Sequence, residues 1–238
     1  MKKGCLIITV ITLVAFAIGI VLVYRVFFIP SGIEIDKTKY PITGIDISKH
    51  TGKIDFKKVK SQSFDFVFLK ATEGENYIDE KFENNYLEAK LNAIPLGAYH
   101  FFRFNKSGKV QADHFLSSVR GKSFDLPYVL DIEKWGNLGQ TEKVVVIKEI
   151  SIFIKELEQN TSKSVMIYTN ESGFKEYISG YFDDKKIWIC SFNDPPNIRI
   201  NWTFWQHSHK GRIEGAEGYV DINTFNGDKN EWEKFLKK

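Results

Sequence analysis

Pro127-Tyr128-Val129-Leu130-Asp131-Ile132-Glu133 is the stretch on which the fold turns. It is a short apolar run, aromatic and β-branched, that passes directly into acids. It reads as a buried strand whose last residues reach a polar end. Seven more segments carry the same stamp: Gly44–Ser48, Phe64–Ala71, Pro95–Phe102, Val165–Thr169, Lys186–Phe192, Thr203–His207 and Tyr219–Asn223. Helical patterns separate the early ones, at Phe56–Ser61, Glu80–Asn92, Lys109–Val119, Glu142–Gln159 and Glu171–Ile178. In Glu80–Asn92 the spacing places Phe82, Tyr86, Ala89 and Leu91 near one face. In Glu142–Gln159 it does so for Val145, Val146, Ile150, Phe153, Ile154 and Leu157.

Strands alternating with helices imply parallel βα units, and eight strands imply a closed barrel. Residues 41–238 fall short of the ~250 residues of a regular eight-fold barrel. After Ile178 no long helical period returns until Glu231–Leu236, and Pro195 and Pro196 interrupt the region between two strands. The expected fold is therefore an α/β, TIM-like irregular barrel, (β/α)5(β)3. An open doubly wound sheet is the alternative, but Asp46–Gly52 lacks the Gly-rich phosphate turn that such a sheet carries after its first strand.

The first 30 residues read as a separate object. Gly4–Tyr24 has no charge and Val26–Ile29 prolongs the apolar run past Arg25. About 20 such residues span a bilayer as a helix. The run is long for a signal-peptide core, and no small-x-small cleavage site precedes Pro30. The expectation is one N-terminal transmembrane helix over residues 4–29, a signal peptide being the competing reading. Lys2 and Lys3 hold the N-terminus in the cytoplasm and send the rest to the extracytoplasmic side. The expected organisation is 1–30 anchor, 31–40 polar linker and 41–238 catalytic domain.

The chain of 238 residues is 43% hydrophobic and 26% charged, which excludes a disordered or collagen-like protein. Residues 1–30 hold three of the 33 Lys and Arg and no acid, leaving 30 basic against 30 acidic residues. No basic stripe points to nucleic acid. Cys5 lies in the apolar segment and Cys190 in the domain, so no disulfide forms within the domain.

Ile45-Asp46-Ile47, Leu130-Asp131-Ile132 and Val220-Asp221-Ile222 each set an acid between two large apolar residues. On a strand the neighbours face the helices and the acid faces the barrel interior. An inward carboxylate is costly unless paired or solvated at a mouth, and parallel barrels put working residues at strand C-termini. Each acid is read as lying late in its strand. Asp131 and Glu133, two apart, project to the same face with Cα atoms about 6–7 Å apart. Two acids so close do not both ionise easily, so one keeps its proton. A retained proton beside an ionised partner is what glycosidic cleavage needs. Glu133, with the longer reach, is read as the acid and Asp131 as the charged partner.

Together, Gly44-Ile45-Asp46-Ile47-Ser48, Gly52-x-Ile54-Asp55-Phe56, Lys70-Ala71-Thr72-Glu73-Gly74, Gly97-Ala98-Tyr99-His100-Phe101, Leu130-Asp131-Ile132-Glu133, Ile167-Tyr168-Thr169, Trp205-Gln206 and Val220-Asp221-Ile222-Asn223 resemble glycoside hydrolase family 25, the Chalaropsis-type N-acetylmuramidases. The resemblance runs from about Thr43 to Gly227. Phe56 stands where the family commonly has Trp, and Thr51 where it commonly has Gln; both look peripheral to the acids. The resemblance implies cleavage of the β-1,4 bond between N-acetylmuramic acid and N-acetylglucosamine in peptidoglycan. It implies Glu133 as proton donor with Asp131, Asp46 and Asp221 as the other carboxylates. An Asp two residues before the acid suits a route assisted by the substrate's own acetamido group.

Tyr99, Tyr168 and Trp188 near strand ends suit stacking on sugar rings, with Glu73 and Gln206 as hydrogen-bond partners. His100 reads as a core histidine. No cofactor or metal is called for, and a monomer is expected. A hard-oxygen Mg²⁺ or Ca²⁺ site built from the four acids is one rival. A silent peptidoglycan-binding module is the other, and loss of an acid would mark it.

Overall fold

The computed structural model describes residues 11, 13–20, 32–137, 139, 141–192, 194–198 and 201–237. The chain divides into two compact units, Met1–Ser31 and Gly32–Lys238. In the first, residues 13–20 are helical, with Leu13, Val14, Phe16, Ile18 and Ile20 exposed. Among the described residues no helix is long and apolar enough to cross a membrane. Most of the span expected over residues 4–29 lies outside them.

In the second unit the described residues form nine strands: β1 (Thr43–Ile47), β2 (Phe66–Glu73), β3 (Tyr77–Ile78), β4 (Leu96–Phe101), β5 (Tyr128–Asp131), β6 (Val165–Asn170), β7 (Lys186–Cys190), β8 (Phe204–Gly211) and β9 (Val220–Phe225). The sheet order β1-β9-β8-β7-β6-β5-β4-β2, closed by β1 on β2, makes an eight-stranded barrel. β3 is a two-residue addition to β2 that the sequence reading missed. Besides a 3-10 turn at Lys49–Thr51, five helical segments follow β1 to β6: α1 (Phe56–Ser61), α2 (Phe82–Leu91), α3 (Gly108–Val119), α4 (Lys143–Asn160) and α5 (Glu171–Gly173), which runs on as a π-turn at Phe174–Ile178. Among the described residues no helix joins β7, β8 and β9, in keeping with a (β/α)5(β)3 order.

One expectation needs correcting. β1, β2 and β4 to β8 pair in parallel, but the two-residue β3 is antiparallel to β2 and β9 is antiparallel to both β8 and β1. Asp221 is thus the second residue of its strand, not a late one. It still reaches the working end because an antiparallel strand starts where its neighbours finish.

Each strand divides its side chains between two cores. Ile45, Ile47, Val67, Leu69, Leu130 and Ile167 pack outward under the helices. Phe66, Phe68, Val129, Met166, Trp188 and Phe204 fill the barrel. Gly44 and Gly97 are glycines because any side chain there would collide with the rings of Phe66 and Phe68. In α2, Phe82 and Ala89 are buried, but Leu91 is exposed. Nine residues at 100° each carry Leu91 to the side opposite Phe82. Val145, likewise expected inside, is exposed at the start of α4, while Val146, Ile150, Phe153, Ile154 and Leu157 are buried.

The barrel floor is closed by α6 (Lys229–Leu236), started by a capping box in which Asp228 and Glu231 each accept the other's backbone N–H at 2.8 Å. Its Trp232 packs on Phe66, Phe204 and Phe225, with ring centroids 5.4, 6.3 and 5.2 Å away. Residues 32–40, read as a linker, lie against the barrel. Ile33 N–H donates to the His207 carbonyl at 2.9 Å, and His207 Nδ1 bonds the Ile33 carbonyl at 3.0 Å.

Candidate active site

A cavity of about 810 Å³ opens at the mouth where β1 to β8 end, and Asp46, Asp131, Glu133 and Asp221 all line it. The flanking isoleucines and Leu130 are held in the outer core, which forces the aspartates inward. Asp46 and Asp221 face each other as register partners on β1 and β9.

Asp46 is pinned by two amides. Its Oδ2 accepts from Gln206 Nε2 at 2.9 Å and from Asn223 Nδ2 at 2.8 Å. The amides are themselves oriented, since Gln206 Oε1 accepts the Tyr168 hydroxyl at 2.8 Å and Asn223 Oδ1 accepts the Trp188 indole N–H at 2.8 Å. Burial raises the Asp46 pKa and these donors oppose it. Asp221 is pushed up to about 9, by burial first and then by the charge and hydrogen bond of Asp46. This pair therefore holds a proton between its two carboxyls.

Asp131 closes β5. Burial first, then the neighbouring Glu133, pushes its pKa well up. Its Oδ1 is buried and has no hydrogen-bond partner among the described residues. Beyond it the chain stays extended, because Ile132 N–H donates to the Tyr168 carbonyl at 2.9 Å and the Thr169 hydroxyl to the Ile132 carbonyl at 2.8 Å. That extension carries Glu133 to the same cavity. The Glu133 pKa rises to about 7, chiefly through burial, while the Trp135 indole N–H and the Tyr168 hydroxyl work against the rise. Burial raises both carboxyls, and the rise of Glu133 comes chiefly from burial rather than from crowding by Asp131.

The other expected residues divide. Tyr99, half-buried, lines the cavity. Tyr168 and Trp188 also line it, yet Trp188 is only 2% exposed and stacks on Phe68 with centroids 4.6 Å apart. Both rings form the cavity floor and orient the amides on Asp46. Glu73 lines the wall in an ion network, with Lys70 Nζ at 2.6 Å and Arg103 Nε at 3.0 Å. Burial alone would raise its pKa; the two cations more than offset that and leave it lowered. His100 is buried between Thr72 and Gln111 and stacked on Phe153, as read. Thr51 and Phe56 are buried and neither lines the cavity. Cys190 is a free thiol at its edge, its pKa raised by burial.

Two contributors escaped the sequence reading. Asn223 shares the inward face of β9 with Asp221, a signal the two-residue alternation carried. Trp135 is 72% exposed at the mouth and bonds Glu133 through its indole N–H; only its place two residues beyond the acid hinted at it.

Buried carboxyls of unequal proton affinity, ringed by aromatic side chains in one open cavity, define a carboxylate-based hydrolase of sugar linkages. Comparison with known proteins gives the family. The model of Glycosyl hydrolases family 25 matches residues 45–216. Lysozyme M1 of Streptomyces globisporus is 38% identical over 204 residues, covering 78% of this chain and 68% of that protein. N,O-diacetylmuramidase of Chalaropsis sp is 28% identical over 202 residues, covering 76% and 94%. The solved family 25 glycosyl hydrolase from Bacillus anthracis superposes with a TM-score of 0.78 at 33% identity, covering 86% of this chain and 97% of that one. The chain belongs to glycosyl hydrolase family 25 and is an enzyme of the lysozyme type.

Proposed function

We propose that this enzyme cleaves the β-1,4 bond from N-acetylmuramic acid to N-acetylglucosamine in peptidoglycan, with Glu133 as the proton donor. The observation that carries this reading is a buried Glu133 with a pKa near 7, two residues beyond an Asp131 whose Oδ1 has no partner. The names of the lysozyme and muramidase relatives support the substrate.

In the proposed reaction Glu133 gives its proton to the departing glycosidic oxygen as that oxygen leaves C1. The substrate's acetamido carbonyl oxygen forms a new bond to C1, and the free Asp131 Oδ1 accepts the acetamido N–H. The Asp131 charge stabilises the positive ring that results. Glu133, now ionised, takes a proton from the water that reopens this ring. Asp46 and Asp221 bind the sugar edge through a shared proton. Tyr99, Tyr168, Trp188, Gln206 and Glu73 shape the sugar site, the rings of Tyr168 and Trp188 from below. All four acids are in place, which disfavours a silent binding module. Among the described residues no three His, Cys, Asp or Glu side chains are placed to hold a metal ion.

We also propose that the apolar run at residues 4–29, broken only by Arg25, tethers the enzyme to a membrane, with the barrel on the extracytoplasmic side. Retention in the membrane fraction after high salt is the expected outcome, and a mature form starting near residue 30 would contradict it.

Mass spectrometry of muropeptides from digested peptidoglycan tests the main reading. New reducing ends on muramic acid are expected, and Glu133→Gln should lower turnover by about 10³-fold. Reducing ends on glucosamine, or parental turnover in Glu133→Gln, would overturn it.

A further inference from the structure

Strand β2 contains a bulge between Lys70 and Thr72. Up to Lys70 the alternation is regular, with Phe66 and Phe68 inside the barrel and Val67 and Leu69 outside. Ala71 continues outward, and the bulge turns Thr72 outward as well, where its hydroxyl meets His100 Nδ1 at 2.7 Å. Glu73 is thereby returned to the cavity. Unbroken alternation would have put Thr72 inside and Glu73 among the helices.

The result is a largely buried cation fixed on the wall of a cavity that holds five carboxyls. Lys70 Nζ lies 2.6 Å from Glu73 Oε2, 5.1 Å from the centre of the Phe101 ring and 5.8 Å from that of Tyr77. Its side chain is 12% exposed. Phe101 is the register partner of both Glu73 and Asp131, so β2, β4 and β5 carry the three in one row. Arg103 and Lys49 line the same cavity, but Arg103 is paired with Glu73 and Lys49 with Glu80.

We propose that Lys70 is a positioning residue for the cleavage step: aimed by the bulge and held by Glu73, its ammonium keeps the negative charge on Asp131 while Glu133 retains the proton. This rests on the muramidase reading given above. Burial and the charges of Glu133, Asp46 and Glu73 push Asp131 up, and Lys70 is the cation that opposes them; it opposes the rise of Glu133 too. Asp221 faces the same group from β9 and shares its proton with Asp46. Tyr99, Tyr168 and Cys190, also facing it, are neutral because burial raises all three.

The sign follows directly. Without Lys70 both carboxyls bind protons more tightly, so Asp131 needs a higher pH to ionise and Glu133 keeps its proton to a higher pH. In the full-length protein, Lys70→Met is expected to move both limbs of the kcat/KM profile on peptidoglycan upward by roughly one pH unit. Lys70→Arg should restore the profile. Glu73→Gln removes a negative neighbour and frees Lys70, so it should move the profile the opposite way, which keeps the idea testable if Lys70→Met folds poorly. A parental profile in Lys70→Met, or a drop of equal size at every pH, would overturn the role of Lys70; so would an upward move in Glu73→Gln. Parental turnover in Glu133→Gln would instead overturn the muramidase reading, so the two failures are distinct.

Discussion

The two ends of the barrel interior could hardly differ more. The floor is a dry aromatic stack of Phe66, Phe204, Phe225 and Trp232. The mouth holds five carboxyls, Lys49, Lys70, Arg103 and an open cavity. Phe68 and Trp188 lie between, and Asp46 sits beside Phe68 in the strand register. The contrast shows where the reactivity originates. Carboxyls at a mouth open to water from both sides would titrate as ordinary acids. Set over a sealed hydrocarbon floor, they lose solvent on one side and hold protons into the neutral range.

That comparison can be broken most forcefully from below. Trp232→Ala removes the stopper, and chemical denaturation should show a loss of ~3–5 kcal/mol. The folded fraction should keep its turnover, because no atom of Trp232 lines the cavity. A smaller loss in stability would mean that the floor is not sealed by this helix. The next effect is at the boundary between the halves. Asn223→Leu strips one donor from Asp46 and leaves the Trp188 indole N–H without its acceptor. Turnover should fall about 10–100-fold through misplacement of Asp46, with little change in KM; unchanged turnover would show that Gln206 alone is enough.

The smallest effect sharpens the comparison from above. Folded Glu133 keeps its proton to about pH 7, whereas an unfolded Glu releases it near 4.3. The folded state therefore binds more protons across that window, and its stability falls as pH rises through it. Glu133→Gln cannot ionise, so its stability relative to the parent should be higher at pH 8 than at pH 4. An equal difference at both values would mean that Glu133 is not held protonated by the fold.

Much of this was legible in the chain. Short apolar runs marked all eight barrel strands because parallel strands buried on both faces leave little room for polar residues. The loss of helices after Ile178 showed in the absence of a 3.6-residue period. The acids between large apolar residues located Asp46, Asp131 and Asp221, since alternation determines which way each one points. Direction was not legible: a strand pattern reads the same forwards and backwards, so the reversal of β9 could not be seen. Nor was the bulge after Lys70, because a one-residue slip leaves Lys-Ala-Thr-Glu looking like ordinary alternation. Tyr168 and Trp188 were seen, but whether an aromatic at a strand end touches sugar or orients an amide depends on neighbours distant in sequence. Trp135 and Arg103 lie on loops, where periodicity carries no information.

The reversal of β9 reaches beyond the register it sets. A barrel whose final strand ran with the others would release the chain at the rim, beside the substrate. Here the polypeptide climbs in β8, turns back over residues 212–219 and descends, so one change of direction brings Asp221 to the cavity and then delivers the closing helix to the opposite pole. That turn is itself anchored to the segment after β1, where Asp55 N–H donates to the Gly215 carbonyl at 2.7 Å and Gly218 N–H to the Thr51 carbonyl at 2.9 Å.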